Sequence, residues 1–563
     1  MSEQRPTEDS RPVTSREVAR RVLDRVTSDA AWATPALDGE LARAGLDDRD
    51  RRLASELVYG VLRHRARIDR AISAYAGLDR TPPKIVTVLR VAAYQILLLD
   101  RVPGYAAVDD AVDAANVLGA KLGGFVNAVL RKLTANGEPA LPVPGNDSMD
   151  AHLARMEVEH STPRWILDEL AAATRDEVRA ALATAGNAKG VDATGVDAAA
   201  VAATGNAKGA GVDATGVDAT GVDATGVDAK GVDAKGVDAT GVDAKGVDAN
   251  GAKGSNEALI AARIVRIGEL ARAFAQPAPI IARVNARRAT RDEVIAELEA
   301  AGVTASPIAS APMALRLEEL GDPSRDKAFM AGRWTVQDTG AQLVGLAVAR
   351  MLGASSTGAS PSGASPSGAL SGGASPSGAL PSGASPSAPL RILDACAGVG
   401  GKSTHLAELF GDDARIDAAD LNPTKLALGR ETAARLGLAN IHVHVCDLLD
   451  PAAPLGRDYD LVVLDAPCTG LGVLRRHPDA KWRLRASDVK RLAELQRMLL
   501  DAVVPRIKPG GILLYSVCTF TRAEGPEQVA ALVKRSALEL VAHERSWPPD
   551  ADAFYLATLR APA

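Results

Sequence analysis

Residues 393–404 read LDACAGVGGKST. A short apolar run ends near Asp394, a turn follows with glycines at 398, 400 and 401, and STHLAELF then has the pattern of a helix. That order, strand to glycine loop to helix, opens a doubly wound α/β domain and places a ligand at the carboxyl end of the first strand. The GGKST ending also fits a phosphate-binding P-loop. A P-loop, however, needs a glycine five residues ahead of its Gly-Lys pair, where the chain turns around the β-phosphate, and that position is Cys396. Asp465, at the end of a later apolar run, could hold magnesium in the nucleotide reading, so the rest of the chain has to decide.

Downstream, RIDAAD, IHVHVCD, YDLVVLDAP and GILLYSVCT are strand-like runs separated by helical patterns such as TKLALGRETAARLG. The alternation predicts a mostly parallel sheet with helices on both faces. Asp420 ends the second run, where an acidic side chain receives ribose hydroxyls, and Asp447 ends the third, within reach of an adenine edge. Glycines 398, 400 and 401 let the backbone approach closely. Asp394, the glycine loop, Asp420 and Asp447 in order form the pattern of an S-adenosylmethionine site. Each carboxylate alone could be a helix cap or a solvated loop residue; three at successive strand ends are harder to assign to chance.

All four cysteines, at 396, 446, 468 and 518, fall in this region, and none makes a C-x-x-C pair, which argues against a disulfide framework or a zinc ribbon. Cys468 follows the fourth run and Cys518 the fifth. Strands of one sheet lie about 4.8 Å apart, so loops leaving neighbouring strands can bring both thiols to one pocket. Cys446, read as lying inside a strand, is expected to be a small buried hydrophobe. A methyltransferase with two thiols at its mouth suits an electron-poor target carbon such as pyrimidine C5, which becomes nucleophilic once a thiolate adds to C6.

Elsewhere, 13–150 reads as all-helical. TSRE at 14–17 has the form of a capping box, Val18, Val22 and Val26 follow at helical spacing, and VLRVAAYQILLL and GFVNAVLRKL repeat the pattern. Helical linker segments are expected at 151–185 and 255–279, and a small α+β region at 280–352, with IIARVNA as a strand, TRDEVIAELEAAG as a helix capped near Thr290, and VQDTGAQLVGLAVARML as a further helix. Two stretches differ in composition: 186–254, dominated by GVDAT/GVDAK units, and 353–388, built from GASPSGAL. Without aromatic residues and with few large apolar ones, they cannot offset chain entropy, so disordered insertions are expected there, as is a disordered tail at 1–12.

The residues quoted above resemble the RsmB/Sun family, small-subunit ribosomal RNA cytosine-C5 methyltransferases within the larger NOL1/NOP2/Sun group. CAGVGGKS is similar to its cofactor loop, DAPCTGLGVLRRHPDAKW to its fourth-strand motif, and YSVCT to its nucleophile motif; the helical front resembles the NusB-like RNA-binding domain the family carries. FYLATL is similar to the family's closing strand. The resemblance implies a class I methyltransferase domain at 389–563 and S-adenosylmethionine as cofactor. It also implies transfer to C5 of a cytosine in 16S ribosomal RNA, with Cys518 as nucleophile toward C6 and Cys468 assisting product release. Cys396, Ala397, Gly398, Val399, Gly400, Gly401 and Lys402, with Asp420, Asp447 and Asp465, would hold the cofactor and the cytosine edge. Arg63, Arg65, Arg67, Arg475, Arg476 and Lys481 are expected to face RNA. Val399 and Val517 replace a usual proline and threonine, and AEGPE replaces an acidic-asparagine-acidic run with only Glu524 in place.

The formal net charge is −5, so any basic surface must be local. The opening MSEQRPTEDSRPVTSREVARR lacks an apolar signal core, and the reading is a cytoplasmic monomer acting on unassembled ribosomal RNA, with no membrane and no metal. A non-catalytic RNA-binding factor is disfavoured by the retained thiols and carboxylates. A DNA cytosine methyltransferase would carry a Glu-Asn-Val tripeptide, which does not occur.

Overall fold

The computed structural model describes residues 13–145, 148–189, 249–352 and 388–563. The expected tail at 1–12, most of the 186–254 insertion and nearly all of 353–388 lie outside the described residues. Of the first insertion the described parts are helical: one helix runs Arg164–Lys189 and another Ala249–Phe274. Two compact units result. In the smaller, 175–266, the described residues are parts of those two helices, joined by the Arg266–Glu177 ion pair at 3.0 Å.

In the larger unit the helical front contains α1 (Ser15–Ser28), α2 (Ala33–Ala44), α3 (Asp48–Arg63), α4 (Arg65–Ser73), α5 (Pro83–Leu98), α6 (Gly104–Leu118) and α7 (Ala120–Asn136). Thr14 caps α1 by accepting from the Glu17 N–H at 3.2 Å, while the Glu17 carboxylate turns to Arg21, so half of the expected capping box forms. Val18, Val22 and Val26 are buried in one apolar cluster with Leu57, Val61, Leu89 and Leu130. These are the i, i+4 stripes read from the sequence, closed against one another.

The linking region forms a four-stranded antiparallel sheet, β1 (Ile280–Val284), β2 (Thr304–Pro307), β3 (Ala314–Glu318) and β4 (Trp334–Val336), in the order β2-β3-β1-β4. The helix Arg291–Ala300 starts from a complete capping box at Thr290 and Glu293. The helix expected through 336–352 begins later, at Thr339, because Val336 pairs in β4 and Asp338 Oδ1 accepts from the Gly340 N–H at 2.8 Å.

The last domain is a seven-stranded sheet of β5 (Leu390–Ala395), β6 (Ala414–Asp420), β7 (Ile441–Val445), β8 (Tyr459–Asp465), β9 (Ile507–Val517), β10 (Glu539–Arg545) and β11 (Tyr555–Arg560). Its order is β10-β11-β9-β8-β5-β6-β7, parallel from β9 through β7 and antiparallel at β10 and β11. The chain reverses direction in strand order between β5 and β8, which opens the crevice where such sheets hold ligands. Among the described residues no helix is long and apolar enough to cross a membrane.

Candidate active site

At the end of β5 the chain turns sharply: Cys396 has φ 63°, Gly398 57° and Gly400 76°, and the helix Gly401–Phe410 follows. Asp420, at the end of β6, holds this loop by accepting from the Gly398 N–H at 2.9 Å, with its other oxygen on the Asn422 N–H at 2.8 Å. Beneath the loop Asp394 is fully buried. Ser403 Oγ donates to its Oδ2, whereas Oδ1 has no hydrogen-bond partner. Burial pushes its carboxyl up to about 6, against the Ser403 bond. A buried acceptor left unpaired beside a glycine cradle is suited to a cationic or N–H-bearing ligand group. The residues therefore fit S-adenosylmethionine.

Asp447 lies exposed, two residues beyond β7, its Oδ1 accepting from the Leu449 N–H at 2.9 Å. Cys446, read as lying within a strand, is the first residue past β7 and half-buried. Cys396 is also half-buried, and desolvation pushes its thiol upward.

β8 and β9 are neighbours, with Asp465 opposite Ser516. The loops leaving them bring Cys468 Sγ and Cys518 Sγ to 3.4 Å, the juxtaposition expected from strand adjacency. The hydrogen bond with Cys518, burial and the Glu524 charge all push the Cys468 thiol well above its ordinary value. Asp465 accepts from Lys402 Nζ at 2.5 Å and from Ser516 Oγ at 2.8 Å. Burial pulls the Lys402 ammonium down, but Asp465 outweighs it, with smaller contributions from Asp394 and Cys518, and the net shift is upward. A fixed cation thus stands near enough to Cys518 to feel its charge. Lys402 is thereby paired with Asp465, the carboxylate that the nucleotide reading would need for magnesium.

Sequence reasoning missed the supports. Arg283, within β1 and buried, donates Nε and NH2 to Glu408, both at 2.8 Å, and NH1 to the Gly401 carbonyl at 3.1 Å; Gln337 Nε2 donates to the same carbonyl at 3.0 Å. An arginine inside an apolar strand was the available signal. Such a buried pair demands full hydrogen bonding, and here it fixes the helix that begins in the cofactor loop.

The six cations expected to face RNA are placed differently. Arg63 and Lys481 are buried; Lys481 Nζ donates to the Arg63 carbonyl at 3.0 Å. Arg65 lies over the Trp482 ring at 5.2 Å, and Arg67 Nε donates to Glu138 at 2.7 Å. Arg475 is buried and donates to the carbonyls of Pro549 and Pro277 at 3.0 and 3.3 Å. Arg476 pairs with Asp552 at 2.5 Å and Asp338 at 2.8 Å. Arg63, Arg475 and Lys481 join parts of the chain, because a desolvated cation is stable only where carbonyls or carboxylates surround it, while the Arg65, Arg67 and Arg476 side chains stay 27%, 31% and 27% exposed. A cavity of about 1390 Å³ lies away from the thiols, lined by Arg52 and Tyr59 of α3 and by Arg325 and Lys327.

The fold and its strand-end site define a class I S-adenosylmethionine-dependent methyltransferase. Residues 385–560 match the family model of 16S rRNA methyltransferase RsmB/F, 13–135 that of the NusB family, and 265–322 the ferredoxin-like domain of RsmF/B-like methyltransferases. The methyltransferase domain is that of the RsmB/F family of 16S rRNA methyltransferases, which use S-adenosylmethionine. It is 26% identical over 522 residues to a probable ribosomal RNA small subunit methyltransferase B of Bacillus subtilis, spanning 92% of this chain and 88% of that one. It is 28% identical over 500 residues to ribosomal RNA small subunit methyltransferase B of Vibrio cholerae, spanning 88% and 84%. The crystal structure of PH0851 shares the fold, with a TM-score of 0.61 at 18% identity over 99% of this chain and 100% of that one. Among the described residues no group of three or more metal-ligating side chains converges.

Proposed function

We propose that this protein methylates C5 of a cytosine in small-subunit ribosomal RNA through a covalent bond between Cys518 Sγ and C6. The observation that carries the reading is the pair of thiols 3.4 Å apart in the loops that leave adjacent strands. Bound S-adenosylmethionine supplies an electrophilic methyl group. Cys518 as thiolate adds to C6, and the electron pair that leaves the C5–C6 double bond makes C5 nucleophilic. Lys402 with Asp465 offers a donor and an acceptor to the base edge. After transfer the C5 proton passes to water, its bonding pair re-forms the C5–C6 double bond, and the C6–S pair returns to the Cys518 sulfur; the proton given to water restores the one that Cys468 donates. Cys468 retains its proton at neutral pH and lies beside the departing sulfur, so it can protonate that sulfur.

The test uses Cys518→Ala and Cys468→Ala with bisulfite sequencing of the RNA product and denaturing gels. Cys518→Ala should abolish methylation. Cys468→Ala should slow release, so that a protein–RNA adduct accumulates. Near-normal turnover by Cys518→Ala would overturn the assignment.

A further inference from the structure

We propose that Glu524 is a positioning residue for the two thiols, its buried carboxylate fixing the residues that follow Cys468 and Cys518 and so setting the geometry of product release. This rests on the cysteine mechanism above. Glu524 is fully buried. Its Oε1 accepts from the Thr469 N–H at 2.8 Å and from Gln496 Nε2 at 3.2 Å. Its Oε2 accepts from Thr469 Oγ1 at 2.6 Å, Thr521 Oγ1 at 2.9 Å and, more weakly, Thr519 Oγ1 at 3.4 Å. Thr469 follows Cys468 and Thr519 follows Cys518 in the chain, and their hydroxyls are 3.0 Å apart. Gln496 also donates to the carbonyl of Pro467 at 2.9 Å, so Cys468 is held on both sides. Tyr515 OH fixes the Glu524 carbonyl at 2.6 Å, anchoring the clasp to β9.

A carboxylate suits this position because it can accept from every one of these donors, whereas an amide offers one acceptor oxygen. The clasp also acts on protonation. With the Cys518 hydrogen bond and burial, the Glu524 charge favours the neutral Cys468 thiol, the form that can donate a proton to the departing sulfur. AEGPE keeps this acid while losing its neighbours, as expected if the retained contact is the one that aligns the thiols.

Two variants of the full chain separate reach from charge. Glu524→Asp keeps the charge but draws the oxygens back by one methylene; turnover should fall by about tenfold or more and the protein–RNA adduct should accumulate, as small misplacements of reacting groups cost this much. Glu524→Gln keeps the shape and removes the charge; alkylation of Cys468, followed by peptide mass spectrometry, should occur at lower pH than in the wild type. S-adenosylmethionine affinity by calorimetry should be unchanged in both. Should both destabilise the fold, Thr521→Ala removes a single donor and should give a smaller loss with the same adduct. Turnover equal to wild type in Glu524→Asp and Thr521→Ala, or losses that only track unfolding and cofactor affinity, would overturn the proposal. Activity in Cys518→Ala would sink the underlying mechanism, whereas an inert Cys518→Ala beside fully active Glu524 and Thr521 variants would sink this inference alone.

Discussion

At the end of β6 the Asp420 side chain braces the glycine loop through the Gly398 N–H, and we propose that it also receives the cofactor hydroxyls. Replacing it with Ala should remove a charge-assisted bond of roughly 1.5–3 kcal/mol, or roughly a ten- to hundredfold loss of S-adenosylmethionine affinity, read by calorimetry. Unchanged affinity would place the ribose elsewhere. Single residues were unevenly legible in the sequence. Asp394, Asp420, Cys468 and Cys518 could be placed because strand ends and strand adjacency follow from local pattern. Arg63 and Lys481 could not: the sequence shows that each is a cation, but Arg63 is desolvated among Glu56, Tyr59 and Tyr94 of the packed helices, and Lys481 takes its partner, the Arg63 carbonyl, from across 418 positions. Glu524 was visible only as the remnant of a motif, since five contacts on one carboxylate depend on how three loops fold together.

Among the elements, the strands of the catalytic sheet were read with small shifts at their ends, because short apolar runs between helical patterns have few alternatives. What the pattern could not supply is how closely the loops approach. The short 3-10 turn Leu471–Val473 lies against the chain after β9: the Gly472 N–H donates to the Cys518 carbonyl at 3.0 Å, and the Ala553 N–H to the Gly472 carbonyl at 3.1 Å. A Cβ at Gly472 would stand 1.9 Å from the Ala553 carbonyl oxygen and 2.8 Å from that of Cys518. Both obstacles are backbone, so no rotamer change relieves them. Gly472→Ala should destabilise the domain by about 1–3 kcal/mol, as overpacking does. Because the displaced segment carries Cys518, the proposed nucleophile, turnover should fall further than cofactor affinity. Calorimetric unfolding together with steady-state kinetics would decide, and a variant with wild-type stability and turnover would refute the close-approach argument.

Across the whole molecule, the segment HPDAKWR joins the catalytic domain to the helical front. Trp482 Nε1 donates to the Leu62 carbonyl at 2.7 Å and Lys481 Nζ to that of Arg63 at 3.0 Å, so two carbonyls left open at the end of α3 find their donors in another domain. Asp479 Oδ2 accepts from the Ala33 N–H at 3.0 Å at the start of α2, and Arg483 lies 4.1 Å from the Trp32 ring centroid. Lys481 bears the electrostatic cost of this junction. Burial, with the nearby Arg63, pulls its ammonium down from 10.5 to about 7. Since the folded value lies below the unfolded one, stability is greatest above pH 10.5 and declines as pH falls toward about 7, where the folded chain also takes up the proton. Lys481→Met fills similar space without a charge, at the expense of one hydrogen bond to the α3 terminus. At pH 10 the variant should be the less stable protein. Between pH 10 and pH 7 the difference should move in its favour by roughly 3 kcal/mol, following the linkage of a desolvated amine. Denaturant unfolding of both proteins at several pH values measures this directly; coincident pH slopes would mean that the Lys481 ammonium keeps its hydration at the junction and that the front is held by Trp482, Asp479 and Arg483 without it.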